Sequence, residues 1–298
     1  MSMTPSSVQV GKAPPGFRLP DATHVGRVKL QVSNLDRSIS YYQRVLGLEV
    51  GNRGQGTATL TPVGENRVIV ELIEKAGVRP VPRRGLLGLY HFAVLLPDRA
   101  SLGRFLAHLA ELGEQAGMSD HLVSEAIYLT DPDGLGIEVY ADRPRESWDV
   151  IDGQIEMATQ PLDAASVVAA AKGERWSGAP RGTRMGHVHF HVGDMAAAER
   201  FYHAGLGLDK IVWNYPGALF MSAGGYHHHV GANTWAAGSP AATDDDARLI
   251  DWELVLPDET GVAGAANSLE QAGFSAERAG GAVLVSDPWG IRVRLVTA

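Results

Sequence analysis

Cysteine is absent from the 298 residues. Its absence excludes disulfides, thiolate metal sites and cysteine nucleophiles, and leaves His, Asp and Glu as the side chains able to hold a metal. No apolar run approaches the roughly 20 residues that a membrane-spanning helix needs. The opening residues, Met1-Ser-Met-Thr-Pro5, carry neither the basic nor the apolar segment of a secretory signal. A cytoplasmic location with no membrane partner is the expectation. Positive charge is also in short supply: 26 basic against 34 acidic side chains give a net charge of −8 without a basic stripe, so nucleic acid is not an expected partner. What is there is an ordinary globular composition, 45% hydrophobic and 20% charged, which suits two domains with buried cores and a small-molecule partner. A homodimer is the default assembly.

The chain resembles itself. At an offset of 160 residues Val28-Lys-Leu-Gln-Val-Ser-Asn-Leu35, Tyr41-Tyr42 and Leu46-Gly-Leu48 match Val188-His-Phe-His-Val-Gly-Asp-Met195, Phe201-Tyr202 and Leu206-Gly-Leu208. His91-Phe-Ala-Val-Leu-Leu-Pro-Asp98 falls on Asp251-Trp-Glu-Leu-Val-Leu-Pro-Asp258 at the same offset, and Asp131-Pro-Asp-Gly134 on Asp287-Pro-Trp-Gly290 at an offset of 156. Each half divides again into a strand, an amphipathic helix and short strands joined by turns. Asn34 or Asp36 is placed to cap the first helix, with Ile39, Tyr42, Val45 and Leu46 as its apolar face. Leu102, Phe105, Leu106, Leu109 and Leu112 give the second helix its face. The repeating unit reads βαβββ, an α+β class, over residues 23–76, 86–143, 183–236 and 248–298. Two domains, 23–143 and 183–298, are expected, with residues 1–22 as an N-terminal arm. Residues 144–182 form a linker with a helix from Leu162 to Lys172, and Ala237–Ala247 a solvated acidic loop.

Four βαβββ units, with Asn34-Leu-Asp-Arg-Ser-Ile-Ser-Tyr-Tyr42 and Leu46-Gly-Leu48 after the first strand and Asp131-Pro-Asp-Gly-Leu-Gly-Ile-Glu138 in a last hairpin, resemble the glyoxalase/bleomycin-resistance/extradiol dioxygenase (vicinal oxygen chelate) superfamily. The resemblance covers residues 23 to 298. It implies that units pair into two half-open barrels around a metal, with ligands from the start of the first strand and from the last strand. Those positions hold Arg27, His91, His187 and Asp251 on the first strands, and Glu71, Glu138, Ala232 and Arg294 on the last. Neither sequential half supplies a full ligand set. Either metal binding is lost or rearranged, or unit two pairs with unit three and gathers His91, Glu138 and His187. The second arrangement is favoured, because two neutral imidazoles and one carboxylate form the facial set of a non-haem Fe(II). Arg27, Asp251 and Arg294 would then lie in an ion-paired interior between units one and four. Read alone, each of these histidines is an ordinary hydrogen-bonded core residue.

Within unit two, Asp120-His121, Ile127-Tyr128, the Asp131-Pro132 turn and Glu138 resemble the signature of ring-cleaving extradiol dioxygenases, although Ser119 departs from it. Taken alone, Asp-Pro-Asp-Gly is only a good type I turn. As a hairpin, however, it sets Tyr128 and Glu138 on adjacent strands facing one cavity. Tyr226-His-His-His229 is expected at the start of the last strand of unit three. Strand parity turns His228 inward, and His227 and His229 away as a surface cluster. His189 and His191 share a face with His187, and Trp213, Tyr215, Phe220 and Trp235 are candidates to shape an aromatic pocket. The resemblance implies an Fe(II)-dependent dioxygenase, akin to two-domain catechol 2,3-dioxygenases, that opens a small aromatic diol with O₂. His228 is then the general acid–base, with His121 and Tyr128 steadying the substrate oxygens. Two rival readings are a glyoxalase-like isomerase or lyase using Mn(II), Ni(II) or Zn(II), commonly with a fourth protein ligand, and a metal-free binding protein.

Overall fold

The computed structural model describes residues 10–298; the first nine residues of the expected N-terminal arm lie outside them. Unit one comprises β1 (His24–Val32), α1 (Leu35–Arg44), β2 (Glu49–Gly54), β3 (Thr57–Thr61) and β4 (Val70–Glu74). Unit two follows with β5 (Gly88–Leu95), α2 (Arg99–Leu112), β6 (Gly117–Asp120), β7 (Ser124–Thr130) and β8 (Gly136–Asp142). The connection carries a small hairpin, β9 (Val150–Ile151) and β10 (Gln154–Ile155), and α3 (Ala164–Ala170), inside the span expected for a helix. Unit three is β11 (Arg184–His191), α4 (Met195–Ala198) continued by a π-helical stretch (Glu199–Gly205), β12 (Asp209–Val212), β13 (Ala218–Ser222) and β14 (Val230–Asn233). Unit four is β15 (Arg248–Leu256), α5 (Glu259–Gln271), β16 (Ala276–Ala279), β17 (Ala282–Ser286) and β18 (Arg292–Thr297). In every unit an Asn or Asp side chain caps the first turn of the helix: Asn34, Asp98, Asp194 and Asp258 accept from the backbone N–H three residues on.

Units one and four share one eight-stranded sheet, ordered β16-β17-β18-β15-β1-β4-β3-β2, and units two and three share the other, ordered β12-β13-β14-β11-β5-β8-β7-β6. Each sheet curls into a half-open barrel. The sequence halves 23–143 and 183–298 therefore do not coincide with the barrels. The reason lies in strand edges. Each first strand pairs in parallel with its own last strand, which leaves one open edge. That edge is closed by the first strand of another unit, β1 against β15 and β5 against β11. Of the apolar helix faces named from the sequence, Ile39, Tyr42, Val45, Leu46, Leu102, Phe105, Leu106 and Leu109 are in the core, and Leu112 is half-buried against it.

In the outer barrel, formed by units one and four, the expected ion-paired interior is present. The Arg27 guanidinium lies 3.1 Å from Glu71, 3.2 Å from Asp251 and 3.1 Å from Glu253, while Lys29 reaches Glu71 at 3.0 Å and Arg294 reaches Glu253 at 3.5 Å. Arg27→Met leaves three clustered carboxylates without their shared cation. The expected cost is roughly 2 to 3 kcal/mol of stability in a denaturant melt, below the value for a fully buried pair because Glu71 and Glu253 are partly exposed. Activity per folded molecule should not change.

The two Asp-Pro turns are built alike. Asp131 accepts from the backbone N–H groups of Asp133 and Leu135 and from the Tyr42 hydroxyl, and Asp287 accepts from Trp289, Ile291 and Tyr202. Burial outweighs these donors and raises both carboxyls to about 6. Because the folded-state values lie above the unfolded ones, the fold holds these protons more tightly. Their contribution is complete below about pH 4 and is lost as pH rises through about 6. Melts across this window should show the slope, and the D131N/D287N double variant should flatten it.

The loop Ala237–Ala247 is not solvated throughout, as its composition suggests. Asp246 and Ala247 are buried. Gln31 donates to the carbonyls of Asp244 and Asp246, and Arg79 pairs with the Asp246 carboxylate at 2.9 Å. Its acidic run is anchored by basic and amide side chains of unit one and of the segment that follows it.

Candidate metal centre

β5 and β11 run antiparallel in the middle of the inner sheet, with Ala93 opposite His187 and His91 opposite His189. β8 lies on the other side of β5, and its Glu138 is the direct partner of Tyr128 on β7, as hairpin geometry requires. This register converges three side chains. His91 Nε2 is 3.0 Å from Glu138 Oε2, His187 Nε2 is 3.2 Å from the same oxygen, and the two imidazole nitrogens are 3.3 Å apart. All three residues are buried. Among the described residues this is the group of His, Asp and Glu whose ligand atoms come close enough to share an ion.

The donor set fits a divalent metal. Atoms spaced at 3.0 to 3.3 Å are what neighbouring ligands of one ion at about 2.1 Å produce. Both Nε2 atoms point at the same carboxylate oxygen and at each other, as ligands sharing one cation would. Burial alone would raise Glu138, but the imidazoles of His187 and His91 hold it well below the usual carboxylate range. Burial pushes His187 down to about 4, which keeps it neutral and able to ligate. Neither ring has a partner at Nδ1 among the described residues, so aromatic packing holds them: His187 lies against Tyr140 and His228, and His91 against Tyr90, Tyr128 and His189.

A cavity of about 260 Å³ opens on one side of this group. His91, Glu138 and His228 form its floor, and Tyr90, Tyr215, Phe220 and Trp235 are its aromatic walls. His228 packs against His187 with ring centroids 3.9 Å apart and the planes tilted by 43°, and burial, followed by the neighbouring imidazoles, holds its pKa well below the usual histidine value and keeps it neutral. Tyr128 and His121 also line the space. His121 Nδ1 lies 2.7 Å from the Ala158 carbonyl and must donate to it, so its Nε2 accepts from the Tyr128 hydroxyl at 2.5 Å. Burial raises Tyr128 well above the usual phenol value, and its hydroxyl stays protonated.

Residues 24–139 match the family described as the Glyoxalase/Bleomycin resistance protein/Dioxygenase superfamily. A protein of Bacillus subtilis (strain 168) named catechol-2,3-dioxygenase is 44% identical over 270 residues, which cover 89% of this chain and 94% of that protein. The chain belongs to this superfamily. Glyoxalase I from Zea mays shares the fold, with a TM-score of 0.55 at 16% identity over 93% of this chain and 92% of its own. A solved chain from Bacillus subtilis subsp. subtilis str. 168 does so too, with a TM-score of 0.62 at 12% identity over 94% and 86%.

Within this superfamily fold, several expectations need correcting. His227 and His229 are not a surface cluster: both are buried. Residues 226–229 precede β14 instead of starting it, and they pack against the end of β8, where the Tyr226 hydroxyl and His227 Nε2 meet the Asp142 carboxylate. Parity gave the direction of His228 but not what covers its neighbours. Trp213 lies outside the cavity, with Lys12 over its ring at 4.0 Å. His189 lines the cavity, whereas His191 faces a second opening beside Arg83 and Arg84. Asn233 was not singled out from the sequence, yet it donates to His189 and accepts from His191. Gly231 allows this, because a Cβ there would sit 2.8 Å from the His189 ring. The linker was also missed as a wall: Met157, Ala158 and Thr159 close one side of the cavity.

Proposed function

We propose that this protein is an extradiol dioxygenase that opens the ring of a single-ring catechol with O₂, using Fe(II) held by His91, Glu138 and His187. The observation that carries the reading is the open side of the three-residue group: it faces an aromatic-walled cavity, and no fourth His, Asp or Glu joins it among the described residues. A glyoxalase-like site commonly adds a fourth protein ligand. The catechol-2,3-dioxygenase name of the Bacillus subtilis relative points the same way. At about 260 Å³ the cavity falls below the 300 to 1,000 Å³ typical of drug-sized ligands, which suits one ring with small substituents.

The iron would supply the redox centre that lets a ring in its singlet ground state react with triplet O₂. The remaining steps belong to the protein. Neutral His228, at the cavity floor, takes the proton of a catechol hydroxyl and later returns it to an oxygen of the opening ring. The Tyr128 hydroxyl, with its proton turned to His121, presents lone pairs to the cavity and accepts from the second substrate hydroxyl. His121 thus acts on the substrate through Tyr128. Phe220, Tyr215 and Trp235 give the ring an aromatic wall to pack against.

Purification without an affinity tag, followed by metal analysis, is expected to show one metal ion per chain. Anaerobic incubation of the iron-loaded protein with catechol, then admission of air, should give a yellow ring-opened product and stoichiometric O₂ uptake. Loaded protein that consumes no O₂ with any single-ring catechol overturns the reading.

A further inference from the structure

Behind His228, away from the cavity, a hydrogen-bonded chain leads to the end of β8. His228 Nδ1 is 2.7 Å from His227 Nδ1, and His227 Nε2 is 3.0 Å from Asp142 Oδ1. The Tyr226 hydroxyl donates to both carboxylate oxygens at 3.0 and 3.1 Å, and the Tyr140 hydroxyl is 2.6 Å from that of Tyr226. His227 is 1% exposed and His228 5% exposed. Neither His227 nor Asp142 belongs to the three-residue metal group or lines the cavity.

We propose that Asp142 and His227 are positioning residues that fix the tautomer of His228 and so leave its Nε2 bare toward the cavity. This rests on the assignment of His228 as general acid–base. A carboxylate can only accept, so His227 must carry its proton on Nε2. In the neutral ring Nδ1 is then the acceptor, and the proton between the two rings belongs to His228 Nδ1. That leaves the His228 Nε2 lone pair for the cavity, the form needed to take a substrate proton. The anchor is itself held in place: the Tyr226 hydroxyl fixes the carboxylate, and the Tyr140 hydroxyl, bonded in turn to that of Tyr226, occupies the space that a Cβ at Gly186 would need, only 1.8 Å from its oxygen. Asp142 therefore sets a lone pair two residues away without touching substrate.

Asp142→Asn inverts the chain, because its amide N–H can donate to His227 Nε2, which switches the tautomer of both rings and puts a proton on His228 Nε2. The expected result is a fall in kcat for catechol of about 10- to 100-fold, with KM and metal content unchanged. Asp142→Glu should recover part of the loss. Tyr226→Phe, which keeps the acceptor, should stay within about threefold of wild type. Long-range ¹H–¹⁵N spectra of the full chain loaded with diamagnetic zinc read the tautomers directly and do not depend on turnover, so they separate failure of this chain from failure of the catechol reading. Wild-type His228 protonated at Nδ1, with that assignment lost in D142N, supports the proposal. Wild-type His228 protonated at Nε2 below a doubly protonated His227, or unchanged kcat in a folded D142N protein, overturns it.

Discussion

Glu138→Ala is expected to strip the protein of metal and to reduce ring cleavage about a thousandfold or more. Glu138 is the one anion of the three-residue group, and its Oε2 lies within 3.2 Å of both imidazole nitrogens. Without it, two neutral histidines remain, and nothing in the buried site offsets the charge of a divalent ion. Loss of the several kcal/mol a bound metal contributes to charge stabilisation gives the stated rate effect. Two measurements check it. Metal analysis should fall from one ion per chain to almost none. Added iron should raise the wild-type melting temperature, since ligand at a hundredfold over its Kd contributes about 2.7 kcal/mol, and should leave the variant unmoved. A Glu138→Ala protein that retains its ion would show that the carboxylate is not a ligand.

His228→Ala should behave differently. The ring packs against His187 and lines the cavity, but it stands outside the group whose atoms converge on one point. Iron content and the iron-induced melting shift should therefore match wild type, while kcat falls by about 10² to 10⁴, the usual contribution of a general acid–base. KM should move much less. If the iron is lost along with the activity, His228 is a fourth ligand, and the glyoxalase-like alternative gains the ground that the dioxygenase loses.

Much of this architecture was legible because it repeats. A 160-residue offset fixes the βαβββ unit, and the caps Asn34, Asp98, Asp194 and Asp258 recur at the same place in each. The pairing of units was legible for a chemical reason: only units two and three, taken together, hold two histidines and a glutamate at the ligand positions, while Arg27 and its carboxylates mark the other barrel. What stayed hidden depends on contacts between segments far apart in sequence. Asp142 carries no motif, and its partner Tyr226 lies 84 residues away. Met157 to Thr159 have no periodicity to announce them as a cavity wall. The acidic loop 237–247 reads as solvated because composition does not reveal that Gln31 and Arg79 anchor it.

The nested pairing also sets an order in time. Every side chain placed in the site here falls between Tyr90 and Trp235, so the inner barrel is complete in sequence before unit four is synthesised. β1 is made first, yet its antiparallel partner β15 comes more than 200 residues later, with His24 joining Val255. On the ribosome the inner barrel can close while β1 keeps one edge unpaired, exposed to wrong partners until the last unit arrives. Non-local closure of the outer barrel is then the step of folding that comes last, and the ion network around Arg27 joins the two units that must meet there, away from the chemistry.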